Sequence, residues 1–224
     1  MISYLKTLAL ALMGLMALGA LLASAATATS LEFKTEGEAA KGGFVTLKNE
    51  IGTEDVFSFD YGAVKCTGIK GEAFVAAFPT PTLTFSVLSY SGCKALGVNV
   101  TIDMNGCDYR YKAGGLVGEN REGEIDIKCP AGKEIEITAK GCTITVLPSD
   151  ARTKATWFNK GKGAESEVTG SLELTEIHYE EDKAGIEPTC KNAGVEKANG
   201  TYTAKHTLTT EDEAGKMEGL VVLV

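Results

Sequence analysis

The sequence has few of the side chains that enzymes and metalloproteins use for chemistry. It contains only two histidines, His178 and His206, and it has no H-E-x-x-H or C-x-x-C spacing. A zinc protease, a zinc ribbon and a thioredoxin-like redox centre are therefore not indicated. Each histidine lies in an alternating segment, and His206 shares a face with Tyr202 and Leu208, which predicts a half-buried sheet residue. We identify no catalytic residue, metal ligand or cofactor-binding residue.

Two short motifs that could carry chemistry have simpler explanations. Ser91 and Lys94 match S-x-x-K, but the companion motifs S-D-N and K-T-G of serine β-lactamases are missing. Asp103, Asn105 and Asp108 place oxygen ligands close together, as a small calcium loop does. However, Asn105 belongs to a predicted hairpin turn, and both aspartates point outward from it. Neither motif supports an active site or a metal site.

Basic residues are outnumbered and form no cluster. The chain has 22 Lys and Arg against 30 Asp and Glu, for a formal net charge of −8. A protein this acidic is a poor partner for nucleic acid or for anionic lipid. We expect no nucleic-acid partner and no membrane partner after signal cleavage. A cell-wall glycan, another extracellular glycan or a protein remains a candidate partner.

One long apolar run lies at the N-terminus. It follows Lys6 and ends at Ala23-Ser24-Ala25, an A-x-A cleavage site. This pattern predicts a signal peptide over residues 1–25, and its alternative is an uncleaved anchor helix, for which the run is long enough. We therefore expect a secreted or cell-envelope protein whose mature chain, residues 26–224, forms a single domain.

All six cysteines lie in the predicted mature chain. An even number in an oxidising compartment predicts a disulfide framework. The cysteines are Cys66, Cys93, Cys107, Cys129, Cys142 and Cys190.

The stretch from 93 to 150 contains an internal repeat, with units at 93–128 and 129–150. Each unit has a cysteine, an alternating strand, a tight turn, a second cysteine and another strand. The Asn105-Gly106 turn predicts a two-residue hairpin that pairs Ile102 with Tyr109. The strand EIDIKC should pair with DYRYK through a turn near 117–119.

This second pairing predicts a disulfide by register. It sets Tyr111 against Ile125 and Tyr109 against Ile127, so that Cys107 lies directly opposite Cys129. Cα atoms approach to about 4.5 Å at such a site, which suits a disulfide.

The two other disulfides are predicted from weaker arguments. Folding IKGEAFVAAF and TLTFSVLSY as a hairpin around Pro79-Thr80-Pro81 brings Cys66 opposite Cys93. Cys142 then pairs with Cys190 by elimination.

The rest of the sequence predicts short strands with turns between them. We expect little structure before Phe44, and Trp157 is predicted to be a core or sheet-edge aromatic residue. The switch of apolar parity between Leu174 and Ile177 indicates a β-bulge, with a one-turn helix as the alternative. Residues 180–199 form a long charged loop, and GLVVLV predicts a last strand covered on both faces.

Together these patterns predict an all-β fold. It is an antiparallel β-sandwich, or a partly open barrel, held by disulfides and preceded by an N-terminal signal helix.

A resemblance to a known family rests on four segments together with the exported start and the apolar last strand. The segments are YSGC, MNGC, CPAGKEIEITAKGCTITV and NGTYT. In these features the chain resembles a family of uncharacterised exported proteins from high-GC Gram-positive bacteria. The resemblance covers most of the mature chain and implies no activity and no catalytic residues.

Two functions follow as hypotheses. The favoured one is a non-enzymatic exported domain, either a structural component of the cell envelope or extracellular space or a binding module. The alternative is a secreted hydrolase that acts on cell-wall or polysaccharide substrates with paired carboxylates.

Overall fold

The computed structural model describes residues 30–36, 42–60, 62–139, 141–147, 152–182 and 194–224. These residues form 18 strands and one 3-10 turn at Gly163–Glu165. The strands are β1 (Glu32–Thr35), β2 (Gly43–Asn49), β3 (Asp55–Phe59), β4 (Gly62–Cys66), β5 (Gly68–Val75), β6 (Thr82–Phe85), β7 (Ser89–Ser91), β8 (Lys94–Ala95), β9 (Val98–Asn99), β10 (Thr101–Asp103), β11 (Asp108–Val117), β12 (Asn120–Lys128), β13 (Ile135–Ala139), β14 (Cys142–Val146), β15 (Arg152–Lys160), β16 (Glu167–Asp182), β17 (Lys197–Asp212) and β18 (Leu220–Leu223).

The predicted fold class is confirmed: the described chain is an antiparallel, sandwich-like all-β structure. The two longest strands, β16 and β17, pair with each other and organise the large sheet. The C-terminal half of β17 pairs with β2, and its N-terminal half pairs with β3. Likewise β16 pairs with β15 along one half and with β14 along the other. The core therefore lies on the inner face of these two shared strands.

The first and last strands form a separate two-stranded ribbon, so the expectation of little structure before Phe44 is wrong. In this ribbon Phe33 pairs with Val222, and the backbone of Phe33 exchanges two hydrogen bonds with Thr80. The Phe33 ring is buried, with its centroid 5.5 Å from that of Trp157. Local sequence patterns do not indicate β1, because the residues with which it pairs are nearly 50 and 190 positions away in the chain.

The Asn105-Gly106 turn is present, but the hairpin predicted around it is wrong. Asn105 and Gly106 have φ of 48° and 82°, and the Cys107 N–H donates to the Met104 carbonyl at 2.7 Å. Beyond the turn the two strands separate, because β10 pairs with β13 and β11 pairs with β6. In the second repeat unit β13 and β14 do pair directly, with Ala139 opposite Cys142. The two units therefore share a sequence pattern and not a structure.

The pairing of β11 with β12 is confirmed at every predicted position. Tyr109 lies opposite Ile127 and Tyr111 opposite Ile125, and Cys107 and Cys129 form a disulfide.

Cys66 and Cys93 form the second predicted disulfide, although the hairpin from which it was predicted is only half right. β5 pairs with β7, which sets Ile69 opposite Tyr90, but β6 pairs with β11. Cys142 is also disulfide-bonded, and Cys190, its predicted partner, lies outside the described residues.

Several further predictions are confirmed. The register of β16 against β17 shifts between Leu174 and Ile177, and Glu176 has a φ of 59°, which identifies the predicted bulge. Trp157 is a core residue with 1% of its surface exposed. The last strand, β18, is almost fully buried.

The long loop is shorter than predicted, because β16 continues to Asp182 and β17 starts at Lys197. Residues 183–193 and the predicted signal peptide, residues 1–25, lie outside the described residues. Among the described residues no helix is long and apolar enough to span a membrane.

Candidate functional site

The most polar part of the core is a contact between Asp55 and His206, and both side chains are 0% exposed. His206 Nε2 lies 3.1 Å from Asp55 Oδ1 and 3.2 Å from Asp55 Oδ2. Asn49 Nδ2 donates to Asp55 Oδ1 at 2.7 Å, and Asn49 Oδ1 accepts from the Ile69 N–H at 2.5 Å. This cluster forms where β17 changes partner, since Asn49 ends β2 and Asp55 begins β3.

Two tyrosines complete the surroundings of His206. The Tyr111 hydroxyl lies 2.5 Å from His206 Nδ1. The Tyr202 hydroxyl donates to Asp55 Oδ2 at 3.1 Å and lies 3.3 Å from His206 Nε2. Because Nε2 faces a carboxylate, the hydrogen-bond network places the imidazole proton on Nε2. Nδ1 is then the acceptor of the Tyr111 hydroxyl proton.

Further hydroxyl groups extend this network. The Tyr90 hydroxyl is 3.2 Å from that of Tyr202 and 2.7 Å from that of Tyr109. Burial raises the pKa of Tyr109, Tyr111 and Tyr202 above the usual range of a phenol. These side chains are therefore neutral hydrogen-bonding groups at physiological pH.

We call Asn49, Asp55, Tyr90, Tyr109, Tyr111, Tyr202 and His206 the polar core network. His206 is a sheet residue, as predicted, but it is fully buried and it has partners suited to proton transfer. Alternation along β11 and β17 does place the tyrosines and His206 on inward faces. It does not reveal Asp55, which is 151 residues away from His206.

The other histidine lies at the surface. His178 Nδ1 is 2.6 Å from Glu196 Oε1, and both side chains are solvent-accessible. This pair is an exposed contact between the two ends of the long β16–β17 connection.

The S-x-x-K match is a surface feature of two short strands. Ser91 ends β7 and Lys94 begins β8, and Cys93 between them is in a disulfide. No helix start is present there, which the β-lactamase-type motif requires.

The aspartate cluster at the Asn105 turn is explained by the turn itself. Asp103 Oδ1 accepts from the Asn105 N–H at 2.9 Å. Among the described residues, no group of three or more His, Cys, Asp or Glu side chains is arranged to hold a metal ion.

The polar core network is buried except at Asn49 and Tyr90, which are half-buried. Three grooves lie on the surface of the protein. A groove of about 380 Å³ runs between residues 86–90 and 101–107 and reaches the Tyr90 ring. A second, of about 560 Å³, has a glycine floor that includes Gly114 and Gly123. A third, also about 560 Å³, lies beside the Gly52 turn. All three are open to solvent and mixed in polarity.

The outer face of β2 and β5 carries an exposed pair of aromatic rings. Phe44 and Phe74 are 37% and 60% exposed, and their ring centroids are 5.4 Å apart at an angle of 55°. They are cross-strand partners, and Glu211 lies opposite Phe44 on the next strand. One position along the same face of β5, Glu72 is also exposed. We call Phe44, Phe74, Glu72 and Glu211 the aromatic patch.

These features define a class of protein: a disulfide-bonded, antiparallel all-β domain with a hydrogen-bonded polar network in its core. No protein-family model, no curated protein and no solved structure matches this chain. The resemblance to exported proteins of high-GC Gram-positive bacteria stays a prediction.

Proposed function

We propose that the protein is an exported, non-enzymatic domain of the cell envelope or extracellular space that binds a glycan at the aromatic patch. The observation that carries this proposal is the exposure of two adjacent aromatic rings, Phe44 and Phe74, on a rigid sheet face. The disulfides support the location, because such bonds persist in oxidising compartments.

The chemistry of the aromatic patch suits a sugar. The C–H face of a pyranose ring is apolar and packs on an aromatic ring, while carboxylates accept hydrogen bonds from sugar hydroxyl and amino groups. Glu72 and Glu211 form no ion pair with another described residue, so both carboxylates are available. Their negative charge favours a glycan with free amino groups over a neutral one.

The hydrolase alternative has a weaker basis in the structure. Glu122 and Glu124 line the glycine-floored groove together, as the paired acids of a glycosidase would. Both are close to lysines, at 3.9 Å for Glu122 to Lys154 and 3.1 Å for Glu124 to Lys112. Each acid therefore already has a lysine as its partner, whereas the catalytic pair of a glycosidase must face a substrate between its two carboxyl groups.

Replacing Phe74 with alanine is expected to weaken binding to a chitosan hexamer by about tenfold or more. An exposed aromatic anchor in a binding site contributes on the order of 2 kcal/mol, and 1.4 kcal/mol corresponds to tenfold. Isothermal titration calorimetry measures the change, with the N-acetylated hexamer as the neutral probe. We expect the neutral probe to bind more weakly.

Phe158 provides the matched control, because it is a phenylalanine on β15 with 47% exposure outside the aromatic patch. Phe158→Ala should leave binding unchanged. Absence of binding by the wild type to both probes, or an equal loss in both variants, would contradict the proposal. Release of reducing ends that is lost in Glu122→Gln would instead establish the hydrolase.

Export predicts a processed chain without free thiols. The protein recovered from its host should begin near Ala26, after the A-x-A site, and should not react with a thiol reagent before denaturation. Intact-mass analysis checks both points. A mass that includes residues 1–25 would show an uncleaved anchor.

A further inference from the structure

Tyr111 has the most basic proton acceptor of the buried tyrosines. Its hydroxyl contacts the unprotonated Nδ1 of His206 at 2.5 Å. Tyr202 donates to the Asp55 carboxylate, and Tyr109 has the Tyr90 hydroxyl as its partner. Imidazole accepts a proton more readily than a carboxylate, with a reference pKa of about 6.5 against about 3.9.

The difference between these proton acceptors affects which tyrosine can be oxidised to a persistent radical. A tyrosine that loses one electron becomes a strong acid, and it forms a persistent neutral radical only if its phenolic proton has somewhere to go. Tyr111 is 0% exposed, so water cannot take this proton and a side chain must. His206 is positioned to do so without any rearrangement.

The neighbours of His206 would also stabilise the protonated imidazole that this oxidation produces. When the Tyr111 O–H bond breaks, the electron leaves to the oxidant and the proton moves to His206 Nδ1. The resulting imidazolium keeps its Nε2–H on Asp55, 3.1 Å away. A buried positive charge is tolerated only beside such a partner. The reverse proton transfer restores the tyrosine when an electron returns.

An aromatic side chain links Tyr111 to the protein surface. The Trp157 ring centroid is 5.6 Å from that of Tyr111, with the rings tilted by 33°. Its indole Nε1 donates to the Lys112 carbonyl at 3.2 Å.

Trp157 is buried, and the backbone of Gly123 packs against the edge of its indole. A Cβ atom on Gly123 would lie 2.3 Å from Trp157 Nε1. Glycine at this position therefore lets the strand lie directly on the indole edge. Gly123 also lines the glycine-floored groove, so this residue contacts both the groove and the indole.

From this arrangement we infer that Tyr111 is the one-electron oxidation site of the protein. Trp157 relays the electron from Tyr111 to an oxidant at the glycine-floored groove, and His206 accepts the phenolic proton. The oxidant is a one-electron acceptor such as the carbonate radical or an oxidised metal complex. The inference is independent of glycan binding and assigns a role to Tyr111 and His206 within the polar core network.

Photogenerated tris(bipyridine)ruthenium(III) tests this relay in the purified, disulfide-bonded protein. We expect a long-lived neutral tyrosyl radical by transient absorption and freeze-quench electron paramagnetic resonance. Tyr111→Phe should lower its yield by about tenfold or more, since none of the other buried tyrosines donates to an imidazole nitrogen. Trp157→Phe should slow radical formation and leave the same radical as the product.

Tyr109→Phe is the matched control, because Tyr109 is equally buried on the same strand and has no histidine partner. It should leave the radical yield unchanged. An undiminished radical in folded Tyr111→Phe, or loss of the radical in Tyr109→Phe, would overturn the inference.

A measurement on the wild type applies even if Tyr111→Phe does not fold. After oxidation the protein is denatured in the presence of a nitroso spin trap, and its peptides are mapped by mass spectrometry. The adduct is expected on Tyr111. An adduct on another tyrosine would also overturn the inference.

Discussion

Replacing Asp55 with alanine is expected to lower the free energy of unfolding by about 3–5 kcal/mol. The Asp55 carboxylate accepts hydrogen bonds from Asn49, Tyr202 and His206, and both Asp55 and His206 are 0% exposed. Without the carboxylate three donors lose their acceptor, and those of Tyr202 and His206 lie in the buried core. Urea denaturation followed by tryptophan fluorescence measures the change, because Trp157 is in the adjoining core.

Asp126→Ala is the matched control at the surface. Asp126 lies near Arg110 and Lys112, at 3.0 Å and 2.9 Å, on a solvent-accessible face. Its removal should cost about 1 kcal/mol or less, as for other exposed ion pairs. If Asp55→Ala were no more destabilising than Asp126→Ala, the polar core network would not hold β2, β3 and β17 together.

The parts of the fold that the sequence predicts correctly are those in which two local signals agree. Pairing of β11 with β12 follows from apolar alternation on both strands and from a short turn between them, and both signals specify one register. The Cys107–Cys129 disulfide follows from that register. The bulge near Glu176 follows from a single local signal, a break in alternation within one strand.

The errors occur where a local signal leaves the choice of partner open. Asn105-Gly106 forms its tight turn, yet β10 and β11 pair with β13 and β6. A two-residue turn brings only the adjacent residues together. The two strands can separate beyond the turn when the edges of other strands offer them longer runs of backbone hydrogen bonds. β11 forms four pairs with β6, a strand more than 20 residues earlier. No pattern within the repeat indicates that competitor.

The polar core network is also predictable only in part from local sequence patterns. Alternation predicts that Tyr109 and Tyr111 share the inner face of β11, and that Tyr202 and His206 share the inner face of β17. It does not indicate that these two faces oppose each other, nor that Asp55 enters between them. That arrangement depends on the order of strands across the sandwich, which is set by contacts between residues about 95 to 150 apart.

Removing the Cys107–Cys129 disulfide by the double substitution Cys107→Ser and Cys129→Ser is expected to cost about 3 kcal/mol. The bond closes a loop with a sequence separation of 22, and its main effect is to restrict the unfolded chain. Serine at both positions avoids an unpaired thiol that could form a new bond. Thermal and urea unfolding of the double variant, compared with the wild type, measure the effect.

The Cys66–Cys93 bond is the natural comparison, because its sequence separation of 27 is nearly the same. Chain entropy alone then predicts that Cys66→Ser with Cys93→Ser costs about as much, within roughly 0.5 kcal/mol. Both bonds adjoin the polar core network, since Cys107 precedes Tyr109 by two residues and Cys66 lies opposite Asp55. A cost more than about 2 kcal/mol greater for the Cys107–Cys129 variant would exceed any loop-length effect. It would mean that this bond also holds β11 in the position that the polar core network requires.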